Sequence, residues 1–104
     1  MERSQIINRI KSLIRHVAPD AEVILFGSVA RGDDRPDSDI DLLIIVDREV
    51  LTLQEKWAIT DPLFDLGAEE LVYISPKIYT RREWYGRPFR TPFMINIMNE
   101  GVRL

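Results

Sequence analysis

Two short motifs contain residue types that could bind a nucleotide together with a metal ion. The first is a turn with Gly27 and Ser28, followed by Arg31, and the second places Asp39 and Asp41 at the start of an apolar run. A turn rich in backbone N–H groups suits phosphate, and paired carboxylates suit the divalent cation that accompanies phosphate. The two motifs together predict a metal-dependent nucleotide enzyme.

Asp39 and Asp41 are two residues apart, so on a β-strand they project to the same side, about 6.6 Å apart along the backbone. Their carboxylates can converge on one Mg²⁺ or bridge two ions about 3.5–4 Å apart. Ile40 between them points the other way, into the core. We therefore predict Asp39 and Asp41 as the metal ligands and the catalytic pair.

The glycine–serine turn supplies the complementary phosphate contacts. Gly27 allows a sharp turn and close approach of a ligand to the backbone. Ser28 adds a hydroxyl, and the turn can present backbone N–H groups at the start of a short helix, where anions are favoured. Arg31 is placed to neutralise a phosphate. We predict that Gly27, Ser28 and Arg31 bind the nucleotide.

Other chemistries fit these residues less well. A Walker-type P-loop is excluded because Asp33-Asp34 stands where Lys-Ser/Thr is needed. A triad of Ser28, an aspartate and His16 is conceivable, but a lone histidine at a helix end is far more often a surface residue. Aspartates at neighbouring positions of one strand cannot flank a sugar bond from opposite sides. The alternative without a function is a polar turn beside two surface aspartates.

Composition indicates one globular domain over residues 1–104. There is no cysteine, which excludes disulfides and thiol catalysis, and no run of about 20 apolar residues that would span a bilayer. The N-terminus has no secretory signal pattern, and a cytoplasmic location fits. Residues 1–76 hold eight Lys/Arg and fifteen Asp/Glu, whereas residues 77–90 hold five Lys/Arg and one Glu. The acidic front part argues against unaided nucleic-acid binding, and the basic segment could meet a phosphate or an acidic partner.

Hydrophobic periodicity predicts the elements that must position the motifs. A first helix spans 4–17 with Ser4 as its N-cap, and strands span 22–26, 40–46 and 71–75, the last stopped by Pro76. A helix over 49–67 offers Leu53, Trp57, Leu63, Phe64 and Leu66 to the core and is expected to kink or break at Pro62. A capping box at Thr80 opens a short helix, and another helix runs from Pro92 to a stop at Gly101. The fold class is α/β or α+β, with a small sheet flanked by helices.

The residues also resemble a known family. The segments Gly27-Ser28-Val29-Ala30-Arg31-Gly32 and Ser38-Asp39-Ile40-Asp41-Leu42 are similar to the GS-x-ARG and SD-x-DL signature of the minimal nucleotidyltransferases, members of the DNA polymerase beta nucleotidyltransferase superfamily. The resemblance implies a mixed sheet, Mg²⁺ (two ions) on Asp39 and Asp41, and triphosphate contacts from Gly27 and Ser28. It also implies transfer of a nucleoside monophosphate, most often AMP from ATP, to an acceptor hydroxyl.

Many proteins of this type resemble the antitoxin half of a two-gene pair. The implied partner is an all-helical HEPN ribonuclease, silenced in some pairs by AMP on a tyrosine, and a homo-oligomer is also conceivable. The superfamily usually supplies a third carboxylate from the next strand, but the segment 71–75 contains no acid. Glu70, with Glu69 behind it, is the nearest candidate, although a charged strand entry is the favoured interpretation. Without a third acid the alternative is a weak or inactive protein that neutralises its partner by contact.

Overall fold

A four-stranded mixed sheet carries helices on both faces in the computed structural model, which describes residues 2–104. The elements, in chain order, are α1 Arg3–Val17, β1 Glu22–Phe26, α2 Gly27–Arg31, β2 Ile40–Val46, α3 Leu53–Glu70, β3 Ile74–Thr80, α4 Arg81–Tyr85, α5 Pro92–Glu100 and β4 Val102–Arg103. The strand order is β3-β2-β1-β4, with β2 and β3 parallel and the other two pairs antiparallel. The predicted fold class is confirmed.

Strand β2 lies inside the sheet and is apolar on both sides because helices cover both faces. Its even-numbered residues pack into one cluster with α1 and α3. Its residues Leu43 and Ile45 pack into a second cluster with Trp84 of α4 and with Met94 and Ile97 of α5. The side chain of Asp41 therefore belongs to the α4/α5 face by alternation. None of the helices within residues 2–104 is long and apolar enough to cross a membrane.

Helix α1 begins earlier than predicted. Its N-cap is Glu2 and not Ser4, because the Glu2 N–H donates to Oε1 of Gln5 at 3.0 Å and the two residues form a capping box. Ser4 is consequently the second helical residue.

Helix α3 starts at Leu53 because Thr52 and Glu55 form a capping box, with the Glu55 N–H donating to the Thr52 hydroxyl at 3.2 Å. It continues through Pro62 without a break, since the flanking Ile59 and Leu63 are both buried and tertiary packing outweighs the lost backbone hydrogen bond. Of the residues offered to the core, Leu63 and Leu66 are buried. Three others are exposed, contrary to prediction: Leu53, Trp57 and Phe64.

Strand β3 spans Ile74–Thr80, so the predicted strand 71–75 and its stop at Pro76 were wrong. The carbonyl of Tyr73 accepts from the Ile40 N–H at 2.9 Å, and by alternation the nitrogen of Pro76 points to the open edge of the sheet. A proline is tolerated there because no ladder hydrogen bond is lost. The short helices after Thr80 and Thr91 form as predicted, and β4, which was not predicted, adds a fourth strand beside β1.

Candidate active site

The two aspartates lie where β2 begins. Asp41 is the second residue of β2 and is half-buried, and Asp39 precedes the strand and is exposed. Ile40 between them is completely buried in the α1/α3 cluster. The burial of Ile40 on one face leaves both carboxylates on the other, at an open end of the sheet.

Gly27 lies directly against Asp41. Strand β1 pairs with β2 so that Phe26 is opposite Asp41, and Gly27 then turns the chain with a φ of +77° into α2. A Cβ atom at position 27 would lie 2.3 Å from Oδ2 of Asp41, closer than real side chains approach. The positive φ and the lack of space each favour glycine, so the turn and the carboxylate are in contact only because residue 27 has no side chain. Ser28 is the next residue of α2 and is half-buried.

Burial and the neighbouring charges together shift the pKa of Asp41. Burial, and next the charge of Asp39, raise the pKa of the Asp41 carboxyl above its ordinary value, while Lys77 and Arg31 lower it. The two carboxylates repel each other, and a divalent cation bound between them would relieve that repulsion. The donor set therefore fits Mg²⁺ in chemistry, although no group of three or more Asp, Glu, His or Cys residues forms within residues 2–104.

Lys77 is a site residue that the sequence reasoning missed. The parallel register places Ser75 beside Asp41 and Lys77 beside Leu43, so both side chains share the face of Asp41. Lys77 is exposed and its charge acts on Asp41. Because the strand was expected to end before Pro76, nothing in the sequence pattern placed Lys77 next to the aspartates.

Arg31 lies on the opposite side of Asp41 and already has two acidic partners. Its Nε is 3.2 Å from Oδ2 of Asp33 and its Nη1 is 3.1 Å from Oε2 of Glu100 on α5. The hydrogen bond that Arg31 donates to Glu100, followed by the one it donates to Asp33, raises the pKa of Arg31. A phosphate at this arginine would have to compete with those carboxylates.

A pocket of about 260 Å³ adjoins the turn between α2 and α5. The rings of Phe26 and Phe93 meet edge to face there, with centroids 5.8 Å apart. The lining residues are Phe26, Gly27, Arg31, Phe93, Asn96, Ile97 and Glu100. The pocket borders Gly27, and its lining includes neither Asp39 nor Asp41.

Glu70, the candidate third carboxylate, does not belong to this site. Its Oε1 lies 2.6 Å from Nη1 of Arg9 on α1, and Glu69 lies 3.0 Å from Nη2 of the same arginine. Helix α3 ends at Glu70 and packs with α1 on the face of the sheet opposite Asp41. Glu70 was expected at the entry of a strand, but it ends α3 and strand β3 begins only at Ile74.

Known proteins are similar to this chain in sequence and in fold. The family model of the nucleotidyltransferase domain matches residues 3–90. The chain belongs to this nucleotidyltransferase family. A protein of Methanocaldococcus jannaschii named "Putative protein adenylyltransferase MJ0141" is 37% identical over 106 residues, which cover 100% of both chains.

Two solved structures have the fold of this nucleotidyltransferase. "Structure of putative minimal nucleotidyltransferase" is 25% identical, with a TM-score of 0.66, covering 100% of this chain and 97% of that one. A toxin–antitoxin complex crystallised with AMP-PNP is 21% identical, with a TM-score of 0.63, covering 92% of this chain and 69% of that chain. The recognised resemblance to minimal nucleotidyltransferases is thereby confirmed.

Proposed function

We propose that this nucleotidyltransferase binds Mg²⁺ on Asp39 and Asp41 and transfers AMP from ATP to a hydroxyl of a protein, its toxin partner. Two Mg²⁺ ions, as the family resemblance implies, are part of the proposal. The observation that carries it is the contact between the Gly27 turn and the Asp41 carboxylate. That contact brings the turn that we propose for phosphate and the carboxylate that we propose for the cation to one point.

Each residue has a separate task in the transfer. Asp39 and Asp41 hold the cation, and the backbone of Gly27 and Ser28 lies along the triphosphate. Arg31 and Lys77 supply positive charge from the two sides of the aspartate pair. A bound divalent cation would stabilise the charge on the phosphates and on the leaving pyrophosphate.

The reaction forms a bond between the acceptor oxygen and the α-phosphorus and breaks the bond from that phosphorus to pyrophosphate. The acceptor hydroxyl releases its proton to solvent. A phosphate at Arg31 would compete with Glu100 for the guanidinium group.

Two of the relatives support the choice of AMP and of a protein acceptor. The archaeal relative carries the name of a protein adenylyltransferase, and one structural neighbour is a toxin–antitoxin complex with an ATP analogue. We extend these features to the present chain and, from the family resemblance, propose a tyrosine of a HEPN-type helical toxin as the acceptor.

The test uses ATP labelled either at the α- or at the γ-phosphate, with Mg²⁺ and the protein encoded beside this gene. Nucleotidyl transfer moves only the α-label to the partner, whereas phosphoryl transfer would move only the γ-label. Asp39→Asn with Asp41→Asn should abolish transfer, and Asp37→Asn, an exposed acid of the preceding loop, is the matched control. Transfer of the γ-label, or an α-label transfer indifferent to both aspartates, would overturn the proposal.

Neutralisation by contact alone is the second candidate, and one observation favours it. Glu70 is held by Arg9, and the aspartate pair has no third acidic ligand within residues 2–104. If the double asparagine variant still neutralises the partner fully while the unmodified protein transfers no label, this second function is correct.

A further inference from the structure

Helix α3 has two apolar faces, although the fold uses only one. Its buried residues are Ile59, Leu63, Leu66 and Gly67. A second set, here called the α3 stripe, consists of Leu53, Trp57, Phe64, Ala68 and Leu71. At 100° per residue these five positions fall within about 60° of one another around the helix axis. The α3 stripe therefore follows one side of the whole helix, with Thr60 between Trp57 and Phe64.

The large side chains of the α3 stripe are exposed in the single chain. Leu53 is 59% exposed, Trp57 51%, Phe64 44% and Leu71 93%. Leu71 also caps α3 in the left-handed conformation with a φ of +54°, where glycine is the common residue. The isolated chain gains nothing from a leucine at position 71, but a covered surface would.

We propose that two copies of this chain pair through the α3 stripe, with their helices antiparallel about a two-fold axis near residue 62. In this arrangement each large side chain of one copy packs against a smaller side chain, or against a leucine, of the other copy. Trp57 of one copy packs on Ala68 of the other, and Phe64 packs beside Thr60 of the other. Leu53 meets Leu71 of the other copy. The pairing is isologous, so every contact occurs twice.

The available area suits a weak dimer. The four large side chains leave roughly 500 Å² on each copy, or about 1,000 Å² for the pair, which is near the lower limit for a specific interface. Phe64 of each copy lies closest to the axis and Trp57 lies further out, and these aromatic side chains supply the anchors that such interfaces use. A dissociation constant on the order of micromolar is expected from this area.

Charges beside the α3 stripe predict the sign of the salt effect. Asp61 and Asp65 are exposed and lie along the edge of the α3 stripe that is farther from the buried face of the helix. The antiparallel arrangement places Asp61 of one copy near Asp65 of the other. Like charges at this spacing repel, and salt screens the repulsion. The dimer should therefore become tighter as salt increases, unlike an interface joined by salt bridges.

Sedimentation equilibrium of the full chain from about 1 to 200 µM tests the pairing. We expect a monomer–dimer equilibrium that Trp57→Glu shifts to monomer at every concentration. Asp65→Lys, which faces Asp61 of the other copy, should tighten the dimer about 3-fold at low salt. The matched control is Ile95→Glu, at a 45% exposed residue on α5 that should leave the equilibrium unchanged. Circular dichroism establishes that each variant is folded.

Single cysteines determine the helix direction, because the chain contains no cysteine of its own. Asp61→Cys lies close to the proposed axis and should cross-link through a short bis-maleimide. Gln54→Cys lies near the end of α3, and two such residues would be about 24 Å apart in the antiparallel pair, too far to cross-link. Cross-linking at position 54, with or without cross-linking at position 61, would overturn the antiparallel arrangement. A monomer at all concentrations would overturn the pairing and leave the α3 stripe to a different protein.

Discussion

Replacing Gly27 with alanine adds one methyl group at the most crowded point of the candidate active site. The new carbon would lie 2.3 Å from Oδ2 of Asp41. Because a carbon and an oxygen cannot approach so closely, the carboxylate must retreat by roughly 1 Å. Gly32 provides the matched control, since its φ of +78° is within 1° of that of Gly27 but a Cβ there meets nothing within 4 Å.

The two substitutions share one cost and differ in another. A non-glycine residue in the left-handed region costs roughly 1–2 kcal/mol, so both variants should unfold about 4–16 °C earlier than the unmodified protein. A ligand displaced by about 1 Å can reduce activity roughly 100-fold. Only Gly27→Ala should therefore lose Mg²⁺-dependent ATP binding and transfer.

Thermal unfolding followed by circular dichroism and ATP titration calorimetry measure the two effects separately. We expect both alanine variants to unfold earlier than the unmodified protein, and Gly27→Ala at least as early as Gly32→Ala because of its conflict with Asp41. ATP binding should be lost in Gly27→Ala and kept in Gly32→Ala. Equal loss of ATP binding in both variants would refute the steric argument, and so would normal binding by Gly27→Ala.

Three further predictions follow from the contacts around the site and from α4. Lys77→Ala should weaken Mg²⁺-ATP binding about 10-fold in calorimetry, with Lys77→Arg close to the unmodified protein, and an unchanged affinity would exclude Lys77 from the site. Glu100→Gln should tighten ATP binding about 2- to 5-fold, because Arg31 then loses an ionic competitor, and weaker binding would contradict this. The Thr80 backbone N–H lowers the pKa of Glu83, so Glu83 stabilises the fold above its unfolded-state pKa and this contribution is lost as pH falls through the lower folded-state value. Unfolding temperatures across the acid range should fall less steeply for Glu83→Gln, and parallel curves would count against the capping box.

Local sequence signals predicted the elements whose determinants are local. The alternation around Ile40, the capping box at Thr80 and the proline after Thr91 each act within a few residues, and the structure contains the expected strand and helices.

Features that depend on tertiary context could not be predicted. Pro76 was expected to end a strand, but it lies on the open edge of the sheet, where its missing N–H has no effect. Because the strand was expected to end before Pro76, Lys77 was not predicted to lie near the aspartates. The apolar pattern of α3 gave no means to separate Leu63, which is buried, from Trp57 and Phe64, which are exposed, because both sides of the helix are apolar. The ion pair of Arg31 with Glu100 joins residues 69 positions apart, beyond any local signal.

Calorimetric titration of ATP with and without Mg²⁺ tests most directly whether a nucleotide and a divalent cation meet where the Gly27 turn touches Asp41. We predict binding that requires Mg²⁺, disappears in Asp41→Asn and persists in Asp37→Asn. ATP binding of equal strength without Mg²⁺, or in Asp41→Asn, would contradict this prediction.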